Sequence, residues 1–506
     1  MRAWVKHGFQ NGDNIVHIRF LIDAVVASEP QSISQPVPTS GVLLVSVLPA
    51  FPHAAFKAYD IRGVVPTALN ADFARQLGRG LAARAHACGV TTMVVGRDGR
   101  LSSPELAGAL QQGMRDGGID TIDVGEVPTP LVYFAAYTLQ TGSGVAVTGS
   151  HNPPEYNGFK MMMGGGTLHG EAILALRDEV AAGPAVTAKP GQASSVDILT
   201  PYLARVIGDI KLSRPMKIAI DCGNGVAAAV ATKLFQGLGC EVTELFCTVD
   251  GTFPNHHPDP ADPHNLEDLI HCVQTTDCEI GLAFDGDGDR LGVVTKSGQI
   301  IWPDRQLILY ARDVLQRCPG ATIIYDVKCS RHVAEQVRAA GGKPLMWQTG
   351  HSLIKAKLAE TGAPLAGEMS GHVFFKERWF GFDDGLYTGA RLLEILSRDA
   401  NPSAVLEALP QGVSTPELKL EMREGEPHAL IKRLQTEGVF TGAAEVFKID
   451  GLRADYPDGF GLARASNTTP VVVLRFEGDT PEALERIQSI FRKQLLALAP
   501  DVKLPF

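Results

Sequence analysis

Val145-Ala146-Val147-Thr148-Gly149-Ser150-His151-Asn152-Pro153 runs from a short apolar stretch straight into a tight polar turn. The apolar residues read as a buried strand. The turn then lies at the end of that strand, where α/β proteins place their ligands. Its serine has a glycine before it, a histidine beside it and a proline close behind. A nucleophile held still in a loop is dressed this way. An ordinary polar turn uses the same residue types, so this segment speaks for the fold class before it speaks for the chemistry.

The same pattern recurs along the chain. Thr92–Gly96 leads into Arg97-Asp98-Gly99-Arg100, and Lys217–Ile220 into Asp221-Cys222-Gly223-Asn224-Gly225. Ile280–Phe284 leads into Asp285-Gly286-Asp287-Gly288-Asp289-Arg290, and Thr322–Tyr325 into Asp326-Val327-Lys328. Each is an apolar run, a Gly/Asp-rich loop, then a helical pattern. That alternation predicts βα units in mixed or parallel sheets. No short sequence repeat accompanies it.

At 506 residues the chain exceeds a single core. Breaks fall at the Gly/Pro/Ala/Ser-rich stretch 182–195, at Lys296-Ser297-Gly298 and at Leu409-Pro410-Gln411-Gly412. They divide it into residues 51–195, 196–298, 299–411 and 412–506. The last segment ends in a strand, Pro470 to Phe476, and a helix, Thr480 to Leu498, and reads as an α+β cap. Residues 1–50 hold two apolar patches around a Ser/Pro/Gln-rich middle. Neither patch reaches the roughly 18 apolar residues of a membrane helix, and the order of charges is not that of a signal peptide. A poorly ordered extension without a catalytic role is expected there.

Charged residues at 20% and hydrophobic ones at 45% fit a globular chain rather than a disordered one. The net charge of -10 argues against nucleic acid as a partner. An anionic substrate would therefore need a locally cationic pocket. The 8 cysteines form no CxxC pair and read as reduced thiols of a cytoplasmic protein.

Asp285-Gly286-Asp287-Gly288-Asp289-Arg290 is the second strong signal. Glycine lets the three carboxylates converge, and carboxylates that close need a cation. Hard oxygen ligands select Mg²⁺ or Ca²⁺. An EF-hand loop is excluded, because Arg290 stands where glycine is required and Lys296 where the final glutamate belongs. A third loop, Arg464-Ala465-Ser466-Asn467-Thr468-Thr469-Pro470, offers a guanidinium, hydroxyls and backbone amides, the composition of a phosphate site. In Gly367-Glu368-Met369-Ser370-Gly371-His372 a carboxylate and a hydroxyl two residues apart can grip neighbouring sugar hydroxyls. His351 opens a helical pattern, and Lys57–Gly63 together with Lys160 supply cations. Taken singly, these read as a packed histidine and ordinary surface charges.

In order along the chain, TGSHNP, DGDGDR, GEMSGH and RASNTTP resemble the signatures of the α-D-phosphohexomutase family, over about Phe56 to Phe506. The resemblance implies four domains around a central cleft, the first three of similar mixed α/β topology and the fourth a smaller α+β domain. It implies reversible transfer of phosphate between O6 and O1 of mannose and glucose phosphates, by way of a hexose 1,6-bisphosphate that also serves as activator. Ser150 would be the phosphoserine. Asp285, Asp287 and Asp289 would hold Mg²⁺, with the serine phosphate as a further ligand. Glu368 and Ser370 would bind sugar hydroxyls, and Arg464, Ser466, Asn467 and Thr468 the phosphate that is not reacting. Tyr59, Arg62, Lys160, Arg290, Lys328, His351 and His372 match positions lining the cleft. His151, Lys160 and Arg62 are candidates for moving the proton or offsetting charge. A monomer acting on small hexose phosphates, with neither nucleic acid nor membrane as partner, is expected. A phosphoglucosamine mutase, a Mg²⁺-dependent sugar phosphatase and a non-catalytic sugar-phosphate binder are the rival readings.

Overall fold

The computed structural model describes residues 51–187, 189–467 and 469–506. The expected N-terminal extension and Thr468 lie outside the described residues. Residues 51–506 form one compact unit built on four sheets.

Three of the sheets share one plan. In the first, Thr92–Arg97 lies between Asp120–Glu126 and Gly144–Val147, all parallel, and Tyr156–Met163 adds antiparallel to Gly144–Val147. In the second, Lys217–Asp221 lies between Glu241–Leu245 and Ile280–Phe284, with Leu291–Thr295 antiparallel at the edge. In the third, Thr322–Asp326 lies between Lys343–Trp347 and Leu365–Gly367, and Val373–Phe375 closes it antiparallel. Successive parallel strands are connected through helices, for example Ser103–Asp116, Glu267–Thr275 and His351–Thr361, as parallel strands require. The first sheet is extended by Ile61–Val64 at one edge and Ala193–Ser195 at the other.

This plan places the loops. The turn from the third strand to the antiparallel fourth carries Ser150 in the first sheet, Asp285–Arg290 in the second and Glu368–His372 in the third. The fourth sheet is antiparallel, with Gly459–Ala465 and Val471–Gly478 at its centre and the loop Ser466–Pro470 between them. Helices Glu426–Glu437 and Pro481–Leu498 cover it.

The strands beneath the loops are fully apolar, and every residue of Gly144–Val147 and of Ile280–Phe284 is buried. Such strands do not alternate, because helices cover both faces. The first three regions share a core in which Trp379 stacks on Tyr387 at 4.1 Å and packs against Phe134 and Tyr202. The fourth has its own, around Leu434, Phe476, Ile487 and Phe491.

Candidate active site

The serine turn is held from below by two buried residues to which the sequence reading gave no role. Asp98 accepts from Thr148 Oγ1 at 2.8 Å, Gly149 N at 3.1 Å and Ser103 Oγ at 2.5 Å. It pairs with Arg100 at 3.1 Å, and the Arg100 side chain is wholly inaccessible. That guanidinium donates to the carbonyls of Ser150 at 2.8 Å, Asn152 at 2.6 Å, Pro153 at 2.5 Å and Tyr156 at 3.0 Å. A Cβ on Gly149 would stand 2.5 Å from the Arg100 guanidinium, so the turn admits only glycine there. Ser150 takes φ +50°, a left-handed conformation costly for a side chain of its kind. The signal for Asp98 and Arg100 lay in Arg97-Asp98-Gly99-Arg100, which follows an apolar strand as the other functional loops do.

Ser150 is buried, with its Oγ 3.4 Å from Asp285 Oδ2 and 3.2 Å from His151 Nδ1. Burial, and then the charges of Arg290, Arg62 and Lys160, hold the His151 imidazole well below its usual pKa. Arg62 itself pairs with Asp60 at 2.6 Å.

Asp285, Asp287 and Asp289 are fully inaccessible, and an oxygen of each lies within 4.8 Å of the others. Burial, then the neighbouring Asp289 and Asp287, push the Asp285 pKa well up. Lys160 reaches across from the first sheet to Asp287 at 2.7 Å and Asp289 at 2.6 Å. Burial opposes its charge, but these carboxylates outweigh it and raise its pKa. Thr129 donates to Asp287 Oδ2 at 2.6 Å. Even so, Asp287 Oδ1 is buried without a hydrogen-bond partner. An orphaned carboxylate oxygen at the meeting point of three buried acids fits a hard divalent cation.

The third loop meets this cluster through His372. Its Nε2 lies 3.3 Å from Asp289 Oδ1, and its Nδ1 is 3.2 Å from Glu368 Oε2 and 3.0 Å from Ser370 Oγ. Burial works against the imidazolium, but Asp289 and Glu368 bring the pKa up to about 9. Arg290 Nε stands 3.6 Å from Asp285 Oδ2. Glu368 also accepts from Gly350 N at 2.6 Å. His351, next in the chain, stacks on His372 at 5.7 Å.

A second grouping gathers around Tyr59. Its hydroxyl donates to the Thr349 carbonyl at 2.9 Å and accepts from Asn467 Nδ2. Burial pushes its pKa up to about 12, so the phenol keeps its proton. Gly350 adopts φ +137°, and a Cβ there would fall 2.6 Å from the Tyr59 ring. Arg464 is buried and pairs with Asp450 at 3.0 Å, and Asp450 also accepts from Thr349 N at 3.0 Å. Ser466 Oγ accepts from Thr469 N at 3.3 Å. Lys328 is buried and pairs with Glu417 of the fourth region at 2.6 Å. Ser150, His151, Lys160, Asp285, Asp287, Asp289, Arg290, Glu368, Ser370, His351 and His372 are thus joined in one contact network. Tyr59, Arg464 and Asn467 form the second group, with Asp450 as a missed partner.

Residues 53–185, 200–298 and 302–413 match phosphoglucomutase/phosphomannomutase alpha/beta/alpha domains I, II and III, and 417–494 match the C-terminal domain of the same proteins. The chain belongs to the phosphoglucomutase/phosphomannomutase family. Among other members of this family, a phosphoglucomutase of Neisseria meningitidis is 60% identical over 439 residues, 86% of this chain and 95% of that protein. A phosphomannomutase/phosphoglucomutase of Pseudomonas aeruginosa is 54% identical over 459 residues, 90% of this chain and 99% of that one. The crystal structure of a phosphoglucomutase/phosphomannomutase family protein from Burkholderia thailandensis superposes with a TM-score of 0.86 at 58% identity, covering 90% of this chain and 99% of its own. Among the described residues, no helix is long and apolar enough to cross a membrane.

Proposed function

We propose that this protein moves phosphate reversibly between O6 and O1 of mannose and glucose phosphates, through a phosphoserine at Ser150 and a hexose 1,6-bisphosphate. One observation carries the reading: the Ser150 hydroxyl lies 3.4 Å from Asp285, at the edge of a buried carboxylate triad in which Asp287 Oδ1 is orphaned. The names of the relatives from Neisseria and Pseudomonas agree with it.

Each region supplies one part: 51–195 the carrier, 196–298 the metal loop, 299–411 the sugar loop and 412–506 the phosphate clamp. Asp285, Asp287 and Asp289 would hold Mg²⁺, which supplies charge neutralisation on the transferring phosphoryl group when bound. Transfer breaks the bond from phosphorus to Ser150 Oγ and forms one to a sugar hydroxyl oxygen, whose proton ends, in net, on Ser150 Oγ. Lys160 and Arg290 offset charge at the reacting phosphate. His151, at 3.2 Å from Ser150 Oγ, stands within reach of that proton. Glu368 and Ser370 grip sugar hydroxyls, while Arg464, Ser466, Asn467 and Thr468 hold the second phosphate, with Tyr59 and Lys328 beside them. The bisphosphate turns over between the two transfers, so either phosphate must fit either end. We read the enzyme as a cytoplasmic monomer, in keeping with its 8 free cysteines.

Intact-mass spectrometry with and without glucose 1,6-bisphosphate tests this. A phosphate increment mapped to Ser150, absent in Ser150→Ala, is expected, with turnover in that variant falling on the order of 10³-fold or more while sugar-phosphate binding persists. Near-normal turnover in Ser150→Ala, or steady release of inorganic phosphate without isomerisation, overturns it.

A further inference from the structure

Cys222 and Cys247 close two neighbouring strands of the second sheet. Cys222 follows Lys217–Asp221, and Cys247 lies just beyond Glu241–Leu245. The register sets Asp221 opposite Leu245, and Cys222 N donates to the Leu245 carbonyl at 3.2 Å. The two Sγ atoms are 3.5 Å apart, in van der Waals contact. Cys222 is fully buried, while Cys247 is partly exposed. Between the strand and Cys247, Phe246 takes φ +50°. Neither thiol enters the chemistry above.

We propose that Cys222 and Cys247 are a modification site, a dithiol that peroxide converts to a disulfide, and that this bond lowers turnover. The sulfurs need only close from contact to about 2.05 Å. The accessible Cys247 reacts first: its S–H and the O–O bond of hydrogen peroxide break, an S–O bond forms, and water leaves. Cys222 sulfur then attacks that sulfenic acid. The S–S bond forms, the S–O bond breaks, and hydroxide departs with the Cys222 proton as a second water. The sulfurs together lose two electrons, and peroxide takes them.

The turn at Cys222 is in contact with both reacting loops. Gly223 N donates to Asp221 Oδ1 at 2.8 Å, and the Asp221 carboxylate meets His256 Nε2 at 3.0 Å. The adjacent His257 ring bonds the carbonyl of His151, next to the carrier serine. Val226 N donates to the Gly286 carbonyl at 3.1 Å, and a Cβ on Gly225 would stand 3.0 Å from Gly286 Cα. A bond that shifts this turn therefore displaces the metal loop and the serine loop together.

The effect on turnover rests on the mutase reading; the bond itself does not. The full-length protein is treated with hydrogen peroxide, its remaining thiols are alkylated, and its peptides are mapped beside a glucose 1-phosphate assay. Expected are a peptide joining Cys222 to Cys247, lighter by two hydrogens, and a loss of turnover restored by dithiothreitol. Cys247→Ser should show neither, and Cys222→Ala provides the same control if the first variant folds poorly. No joined peptide, with oxygen added only at other cysteines, overturns the proposal, as does a joined protein with full turnover. An untreated protein inactive on hexose phosphates counts against the mutase reading alone, and the joined peptide still decides the thiol pair.

Discussion

Arg100 and Asp98 form an ion pair 3.1 Å long whose arginine side chain is wholly sealed from water beneath the serine turn. Breaking a buried pair by removing one partner costs about 3–5 kcal/mol. Here the loss falls on four loop carbonyls and on the φ +50° conformation of Ser150. Arg100→Met should therefore lower turnover far more than it raises KM, and lower Tm as well. Steady-state kinetics with calorimetry checks this; an unchanged kcat would show that the turn holds itself.

The orphaned oxygen of Asp287 gives a prediction that does not depend on turnover. A cation that binds only the folded state raises stability by RT ln(1 + [L]/Kd), about 2.7 kcal/mol at a hundredfold excess over Kd. Tm should rise with added Mg²⁺ in the wild type and stay flat in Asp287→Asn, with activity following the same titration. Equal shifts in both proteins would remove Asp287 from the metal site.

Arg464 is buried against Asp450 at 3.0 Å. A charge-assisted hydrogen bond contributes about 1.5–3 kcal/mol, so Arg464→Ala should raise KM by roughly 10- to 100-fold. An unchanged KM takes this arginine out of the phosphate site.

Asp384 caps the helix Gly385–Leu396 and accepts from the Tyr202 hydroxyl at 2.9 Å with only 1% of its surface exposed. Burial pushes its pKa up to about 7, above the roughly 3.9 of an unfolded chain. A raised carboxyl contributes stability that is full below the unfolded value and is lost as pH rises through the folded one. Asparagine caps helices as well as aspartate. Between about pH 4 and about pH 7 the wild-type stability should fall, by a few kcal/mol at most, with Tm following it and levelling off at higher pH, and Asp384→Asn should flatten that slope. Thermal melts across the range decide it.

Ile280–Phe284 was legible as a strand to the residue, because its apolar run stops dead at an aspartate. The expected last strand, Pro470 to Phe476, is Val471–Gly478. Proline has no amide to give the ladder, and Glu477 stays in it through pairing with Phe460 and Ser414, while Ser330 donates to its buried carboxylate at 2.8 Å. Thr480 is the cap of the last helix rather than its first turn, accepting from Ala483 N at 3.2 Å. The common plan of three sheets was hidden, since strand order is set by pairing between distant segments. So were Asp450 and Glu417, acids whose partners lie on another strand or another sheet, while Asp98 was signalled by its loop but not its hold on Thr148. Motifs show the groups that meet a substrate, while the groups that hold those in place are set by tertiary contacts.

The turn between the third strand and its antiparallel neighbour occurs three times, with Ser150, Asp285–Arg290 and Glu368–His372 at its tip. On the proposed function, carrier, metal and sugar grip are three addresses on one repeated frame. Each tip is anchored in strands of its own, but the tips also touch, since His372 lies 3.3 Å from Asp289 of the second. On that reading a new sugar preference is grafted at Glu368 and Ser370, with His372 kept as the tie to the loop that handles phosphate.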